Sequence, residues 1–455
     1  MKVLFSNPPW WLDRNHYRLS TGEIVELHTA GVRAGSRWPF TSPIMSAPDA
    51  FRFGDYLPYP FFMGYAATYA AARTGAQVVL RDSIALRESY ESYFAYLRAN
   101  RFDMIVIEAA TPSWEHDAGL IRRIHDLVPE ARLVVSGPIA SIARAVLRDE
   151  PVSACLHGEY EKGIVRVIEG AEGEIDFDLL SEDEMNAQPF PYMDPVIAHR
   201  YWDGNPHGQR PPQAQVWSSR GCPFKCIFCV WPATMTGNDP DGTGRRTVRH
   251  YSADYMEAYL GELVARYGYK TLYFDDDTFN LGDRHVEEMC QVLGRLGVPW
   301  SAMCRADTIR LDTWRMMKES GCFGVKLGFE SGNQHVIDTI VNKRLDLARA
   351  AEVVRHVKEL GLTVHGTFTF GLPGETAAQM QDTERYIASL PFDSIQKSGC
   401  AEIEGTPLHT LAAVGSLAAY KGAVLDEHYA RASDGGRKLR DMEALWRGMA
   451  PGDRG

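Results

Sequence analysis

The sequence lacks the features that would send it to a membrane, to secretion or to nucleic acid. No stretch reaches 18 uninterrupted apolar residues, short of the ~20 that a spanning helix needs. The start, Met1-Lys-Val-Leu-Phe-Ser-Asn-Pro-Pro9, has too short an apolar run for a signal peptide. Basic residues do not prevail: 48 Lys and Arg stand against 59 Asp and Glu, a net charge of −11, where a nucleic-acid surface would be basic. Cysteine is too sparse and scattered for a disulfide framework. Of the 8 present, Cys155, Cys290, Cys304, Cys322 and Cys400 stand alone and read as small buried hydrophobes. These absences lead us to expect a cytoplasmic protein with no membrane and no nucleic acid among its partners, its free thiols suited to a reducing compartment. The rest is ordinary globular composition, 45% apolar and 24% charged, long enough for two to three domains. The acidic balance fits a neutral or cationic small-molecule substrate, and otherwise serves solubility.

The remaining cysteines are close together, in Cys222-Pro-Phe-Lys-Cys226-Ile-Phe-Cys229. Three thiolates on one compact loop can hold three corners of a cubane iron–sulfur cluster, which usually takes four. One iron is then open to a substrate or cofactor. Structural zinc would need a fourth ligand at close spacing, yet the next His is His250 and the next Cys is Cys290. Pro223 and Pro232 stiffen the loop on either side.

Short apolar runs alternate with helical patterns on both sides of this loop. In residues 1–165 the strands are expected at 2–6, 77–80, 103–108, 131–135 and 154–157, with helices between them. This pattern implies a parallel sheet covered on both faces, with ligands beyond the carboxyl ends of its strands. A long insertion follows the first strand, with Gly31-Val-Arg-Ala-Gly-Ser-Arg-Trp-Pro39 its most distinctive part. Residues 166–213 read as a Pro-punctuated linker. Residues 214–405 hold six further strands, at 215–218, 271–274, 300–304, 324–329, 363–370 and 394–403, each followed by a helix except the last. The Gly-rich stretch 237–249 reads as a mobile loop or lid, and 406–455 as a short helical tail.

The C-x-x-x-C-x-x-C loop is that of the radical S-adenosylmethionine (SAM) enzymes, and the chain resembles that superfamily. The resemblance implies a [4Fe–4S] cluster on Cys222, Cys226 and Cys229. SAM would be chelated at the open iron and cleaved to a 5′-deoxyadenosyl radical by an electron from a flavodoxin- or ferredoxin-type donor. It also implies the fold class: α/β, with an N-terminal doubly wound, Rossmann-like, cobalamin-binding-like domain plus a partial (β/α)6 radical SAM barrel. Active sites of such barrels lie at the carboxyl ends of strands. The family's pattern then puts Phe228 against the adenine of SAM. Asp275 or Asp276, in Tyr273-Phe-Asp-Asp-Asp277, falls at its amino group, and Arg305 at its carboxylate, which a guanidinium can grip bidentately. Glu330 and Ser331, in Gly328-Phe-Glu-Ser-Gly332, are implied at its ribose or amine, and Gly371, in Gly371-Leu-Pro-Gly-Glu-Thr376, lets backbone approach adenine. Where relatives carry Pro-Gly-Thr-Pro-Leu, this chain has Glu404-Gly-Thr-Pro-Leu. Alternation on a strand would place Glu402 and Glu404 on one side.

The N-terminal half resembles the cobalamin-binding domain found ahead of many radical SAM barrels. However, the D-x-H-x-x-G motif that ligates cobalt in some of those domains is absent; Asp82-Ser-Ile-Ala-Leu-Arg87 has no His in place. Cobalamin and a scaffold that binds nothing both stay open. Three functions follow as expectations. The first is a radical SAM diol-dehydratase of aminoglycoside antibiotic biosynthesis. It would act on a vicinal diol of a cationic aminosugar, with Asp276, Asp277, Glu402 and Glu404 as acid and base candidates and an NAD(P)H reductase downstream. The alternative is a cobalamin-dependent radical SAM methyltransferase. The third, from a different class, is a non-catalytic iron–sulfur protein.

Overall fold

The computed structural model describes residues 1–18, 24–32, 40–45, 57–203, 212–400 and 402–413. The chain divides into two compact units. The first comprises Met1–Trp202 with Val230–Pro240 and Ile403–Gly405; the second comprises Asp203–Cys229, Asp241–Glu402 and Thr406–Gly455.

The first unit carries strands β1 (Lys2–Asn7), β2 (Trp11–Arg18), β3 (Ile24–Val32), β4 (Phe40–Met45), β5 (Gln77–Asp82), β6 (Met104–Glu108), β7 (Arg132–Ser136), β8 (Ala154–Leu156) and β9 (Gly173–Ile175). Six of them form a parallel sheet in the order β5-β1-β6-β7-β8-β9. Val3, Leu4, Phe5, Ile105, Val106, Val134 and Val135 are buried, the unbroken apolar runs of a sheet covered on both faces. Strand order reverses between β1 and β6, so the switch point, where doubly wound sheets take their ligands, lies at the carboxyl ends of those two strands. The insertion after β1 forms an antiparallel sheet, β2-β3-β4. Of its segment 31–39, Gly31 and Val32 close β3 and the rest lies outside the described residues. β9 falls in the stretch expected as a linker; three residues, Gly-Glu-Ile, are too few to show a pattern.

Asp82 ends β5 and caps the turn that follows. It accepts hydrogen bonds from Ile84 N and Ala85 N, both at 3.0 Å, from Asn7 Nδ2 at 2.9 Å and from Tyr201 Oη at 3.3 Å. Burial outweighs these donors and pushes its carboxyl up to about 6 from 3.8. A carboxyl raised on folding adds stability that is fully present below its unfolded pKa and fades as pH rises through the folded one. Between pH 4 and 7.5 the wild type should therefore lose about 2 kcal/mol relative to Asp82→Asn. Urea denaturation of both proteins at the two pH values checks this; equal pH slopes would contradict it.

The second unit continues with β10 (Gln213–Val216), β11 (Ser219–Arg220), β12 (Arg249–His250), β13 (Thr271–Phe274), β14 (Trp300–Cys304), β15 (Cys322–Glu330), β16 (Thr363–Phe370) and β17 (Ser394–Gly399). β10, β13, β14, β15, β16 and β17 pair in that order, all parallel. Helices Ala253–Ala265, Asp283–Leu296, Leu311–Glu319, Leu347–Glu359 and Ala377–Ala388 connect them. Sheet order thus follows chain order, the arrangement of a partial (β/α)6 barrel. Its core holds Leu272, Phe274, Trp300, Ala302, Leu327, Val364 and Phe368, all buried.

One expectation about the last strand is corrected. β17 stops at Gly399, before Glu402 and Glu404, which lie in the loop and turn leading to helix Pro407–Ala413. Strand alternation therefore does not relate the two glutamates. The turn that carries Glu404 continues through Gly405, at φ +83°, a value for which a residue without Cβ is suited. Beyond Ala413, the expected tail lies outside the described residues. Among the described residues no helix is long and apolar enough to cross a membrane.

Candidate active site

The cysteine loop leaves the barrel at the end of β10 and is held there by the strand end beside it. Asp276 is wholly buried. Its Oδ1 accepts Ser218 N at 3.0 Å, Ser218 Oγ at 2.9 Å and Ser219 Oγ at 2.6 Å, and its Oδ2 is 3.2 Å from Ser218 N. Beneath them His285 Nε2 meets Ser218 Oγ at 3.0 Å. Burial, and then His250, pull the His285 ring down to about 3, so it stays neutral and its Nε2–H donates to the serine oxygen. Asp277 Oδ2 accepts Gly221 N at 3.2 Å, and Thr278 Oγ1 lies 3.7 Å from Cys222 Sγ. Asp275 is nearly buried, its amide bonded to Val216 O at 2.9 Å. The three adjacent aspartates are thus not equivalent. Asp276 and Asp277 are acceptors for the backbone and hydroxyls that launch the loop.

None of the three loop cysteines is in a disulfide. Burial first, then Asp277 and Cys226, push the Cys222 thiol up to about 11. Burial also raises Cys226, while Lys343, Arg305 and Arg246 pull it the other way. Such thiols ionise when iron supplies the compensating charge. Among the described residues no three His, Cys, Asp or Glu side chains gather as ligands of a single metal ion. A cubane asks for something different, since each thiolate there binds its own iron. Three thiols outside any disulfide, on a loop anchored by its backbone, fit that need.

The Cys226 corner is clamped on several sides. Ile227 N donates to Val341 O at 3.1 Å, Leu408 N donates to Ile227 O at 2.8 Å, and Asn342 Nδ2 donates to Lys225 O at 3.3 Å. The Gly-rich stretch expected as a lid is tied to the loop as well. Lys225 Nζ donates to Gly242 O at 3.0 Å and to Gly244 O, Arg246 Nη1 donates to Phe224 O at 2.7 Å, and β12 pairs with β11. Phe228 is partly buried and, with Cys226, Ile340 and Cys400, packs on Val336, Val341 and Leu372.

At the next strand ends the expected SAM contacts are already engaged in a network. Arg305 is buried, stacks 3.5 Å over the Phe224 ring, and grips Asp307 with Nε and Nη2, both at 2.9 Å. Its Nη2 also donates to Lys343 O at 3.2 Å, and Asn280 fixes its backbone at 2.7 and 2.8 Å. Glu330 sits at φ +69°, where the β15–β16 register shifts between Gly328 and Glu330. A bulge with left-handed backbone re-aims a side chain at a cost that other contacts must offset. Here Lys343 Nζ meets Glu330 Oε1 at 2.8 Å, and Thr369 Oγ1 donates to Oε2 at 2.9 Å. Ser331 is buried; its Oγ is 3.0 Å from Thr383 Oγ1 and accepts Asn333 N at 3.1 Å. Gly371 turns at φ +74°, and its amide and that of Leu372 donate to Glu375 Oε2 at 2.9 and 3.1 Å. Burial pushes Glu375 up to about 7, and its Oε1 is buried with no partner. Glu402 is exposed and paired with His409 Nδ1 at 3.2 Å; Glu404 is half-buried in its turn.

Lys343, Thr369 and Glu375 were missed by sequence reasoning. Glu375 stood inside a quoted turn whose glycines alone drew attention. Lys343, in Asn342-Lys-Arg344, carries no periodic signal; its only mark is the left-handed backbone on both sides, φ +56° and +54°.

A six-stranded parallel partial barrel, with a three-cysteine loop at its first strand and polar strand ends around it, defines a radical SAM domain. Residues 218–387 match the Radical SAM superfamily, a domain that works with a [4Fe–4S] cluster and SAM. Across 382 residues the chain is 25% identical to an uncharacterized methyltransferase of Pyrococcus horikoshii, covering 78% of this chain and 79% of that one. It is 28% identical over 240 residues to a cytidylyl-2-hydroxyethylphosphonate methyltransferase of Streptomyces wedmorensis, but that match spans 50% of this chain and 43% of the relative. In three dimensions it is similar to the radical SAM methyltransferase TsrM of Kitasatospora setae with cobalamin and a [4Fe–4S] cluster bound. The TM-score is 0.62 at 16% identity, covering 79% of this chain and 75% of the other. That likeness shows the fold: a doubly wound α/β domain together with a radical SAM barrel.

Proposed function

We propose that the protein is a cobalamin-dependent radical SAM methyltransferase acting on a small molecule. The observation that carries the cobalamin part lies at the switch point of the first unit. Asn7 Oδ1, at the end of β1, and Thr111 Oγ1, just past β6, are buried with no hydrogen-bond partner. An unmade buried hydrogen bond costs about 1–3 kcal/mol, so two at the place where such sheets take ligands point to a ligand that completes them. The residues past the neighbouring ends of β6 and β7 are small: Ala109 and Ala110, with Gly137 so close that a Cβ on it would come within 2.5 Å of Ala109 O. Small residues beside two unsatisfied polar atoms suit a large ligand with amide arms. The absent D-x-H-x-x-G histidine has no bearing on these two polar atoms.

When bound, the cluster and SAM supply a carbon-centred radical and cobalamin a transferable methyl group. The chain's own part is to hold and position. Cys222, Cys226 and Cys229 are the cluster ligands. Phe228, Asp275, Arg305, Glu330, Ser331 and Gly371 surround the SAM position, with Arg305 releasing part of its grip on Asp307 to meet a carboxylate. Asp276 and Asp277 fix the loop on which the cysteines stand. Glu402 and Glu404 remain candidates to contact a cationic substrate, Glu402 by exchanging His409 for it. The dehydration reading takes Asp276, Asp277, Glu402 and Glu404 as acid and base candidates, and of these the two aspartates already serve as acceptors. The curated relatives named above are methyltransferases, so the methyl-transfer alternative has the stronger support.

The test is anaerobic reconstitution with iron, sulfide and hydroxocobalamin, followed by gel filtration and optical spectra. About one cobalamin should be retained per chain, and Asn7→Leu or Thr111→Val should weaken retention roughly tenfold. With deuterated-methyl SAM and candidate small molecules, label should appear in product only when cobalamin is present. Failure to retain cobalamin, or a dehydrated product formed equally well without it, would overturn the reading.

A further inference from the structure

We propose that Lys343 sets the reduction potential of the cluster at its Cys226 corner, as the cation of a buried pair whose anion is Glu330. The inference rests on the cluster reading above. Lys343 comes from none of the strand ends that supply the other site residues. Its segment is nonetheless docked on the cysteine loop by the residues just before it. Val341 O takes the amide of Ile227, and Asn342 Nδ2 reaches Lys225 O. Those two bonds fall on either side of Cys226.

Lys343 is 6% exposed, and its Nζ lies 2.8 Å from Glu330 Oε1. Around the Cys226 segment Lys343 Nζ meets Glu330 Oε1 at 2.8 Å, Arg305 Nη2 donates to Lys343 O at 3.2 Å and Arg246 Nη1 donates to Phe224 O at 2.7 Å, which gathers three cations and one anion there. Beside Cys222, by contrast, Asp277 Oδ2 accepts the amide of Gly221 at 3.2 Å. The cluster would therefore sit in an uneven field, positive at the Cys226 corner.

The fold bears a cost to keep this pair. Glu330, Asn342 and Arg344 all sit at positive φ, +69°, +56° and +54°, each a sparsely populated state for a residue with a side chain. Gly328 leaves room for it: a Cβ there would lie 2.9 Å from Lys343 Nζ and 3.1 Å from Glu330 Oε1. A buried ion pair contributes little net stability once desolvation is counted, so strain at three residues around it is better explained by its field than by its binding energy.

Reduction adds one electron from an external low-potential donor to the cluster, and so one negative charge. A fixed cation stabilises the reduced form more than the oxidised one, and an anion does the reverse. The two partners of one ion pair thus make opposite predictions. In an EPR-monitored potentiometric titration of the reconstituted protein without SAM, Lys343→Met should lower the midpoint potential and Glu330→Gln should raise it. Each shift should be at least a tenfold change in the reduced-to-oxidised ratio at fixed potential, 59 mV for one electron. Lys343→Arg should stay near wild type. Shifts of the same sign in Lys343→Met and Glu330→Gln would mean a loosened loop and overturn the proposal, as would no shift in either. Should Lys343→Met fail to load a cluster, a Glu330→Gln potential at or below wild type overturns it and one above supports it. A wild type that assembles no [4Fe–4S] signal at all sinks the cluster reading itself.

Discussion

Cys226→Ala is expected to abolish SAM cleavage, with 5′-deoxyadenosine formed under dithionite falling by a factor on the order of 10³ or more. SAM at an open iron has no electron source besides the cluster, and a cubane is held by its thiolates. Cys226 matters more than its share of three ligands. Its corner is clamped by Val341, Asn342 and Leu408, and its surroundings are cationic. Removing the thiolate leaves Lys343, Arg305 and Arg246 facing a cavity without the anion they surround, so loss of ligand and loss of charge balance act together. Iron content per chain should drop with the activity, whereas chain stability should change little or rise slightly when the cluster is absent from both proteins, because Cys226 packs only at the edge of the Val336, Val341 and Leu372 group. Cys400 packs on that same group. The double variant Cys226→Ala/Cys400→Ala checks that a neighbouring thiol is not standing in. Retained cleavage in the double variant would contradict the cluster assignment.

Most strands of both sheets were legible because they are buried on both faces and read as unbroken apolar runs, as in β1, β6, β13 and β14. Thr271–Phe274 and Trp300–Cys304 have the same bounds in sequence and structure, and β1 and β5 differ only in their last residues. Two-residue strands such as β11 and β12 carry no pattern at all, and the three residues of β9 are hardly better. The last strand was read too long, to Ile403, because Ala401-Glu-Ile-Glu404 alternates; β17 itself ends at Gly399, and Glu402 and Glu404 lie in the loop and turn before the helix at Pro407. At the site, the cysteines were legible from spacing because all three lie on one loop. The network behind them was not. Lys343 reaches Glu330 across 13 positions of sequence and Arg305 reaches Lys343 across 38, contacts that depend on which strand ends the barrel brings together. Composition could say that three aspartates end a strand, but not that the middle one faces inward.

That middle aspartate supplies the second large effect. Asp276→Ala should destabilise the second unit by about 3–5 kcal/mol, because Ser218 N, Ser218 Oγ and Ser219 Oγ are buried and would each lose an acceptor. With the serines free to turn, the start of the cysteine loop should shift and cluster loading should fall. Asp276→Asn separates this positioning role from the acid–base role that the strand-end carboxylates suggested. The amide retains an oxygen where Oδ1 now takes three of the four contacts, and gives up chiefly the charge and the 3.2 Å contact of Oδ2. A positioning residue should therefore survive the change to Asn, with stability reduced by about 1–2 kcal/mol and SAM cleavage within roughly tenfold of wild type. The pH profile of the reaction should be unmoved, since His285, hydrogen-bonded to the same serine, is already neutral. A general acid or base would behave oppositely: the cluster and SAM cleavage would remain intact in Asp276→Asn while product formation collapsed and one limb of the pH profile disappeared. Iron content, uncoupled 5′-deoxyadenosine and product, measured together on the two variants, decide between these roles. The distances around Asp276 favour the first, because all four contacts given above for its carboxylate are spent on the serines that carry the chain from β10 into the cysteine loop.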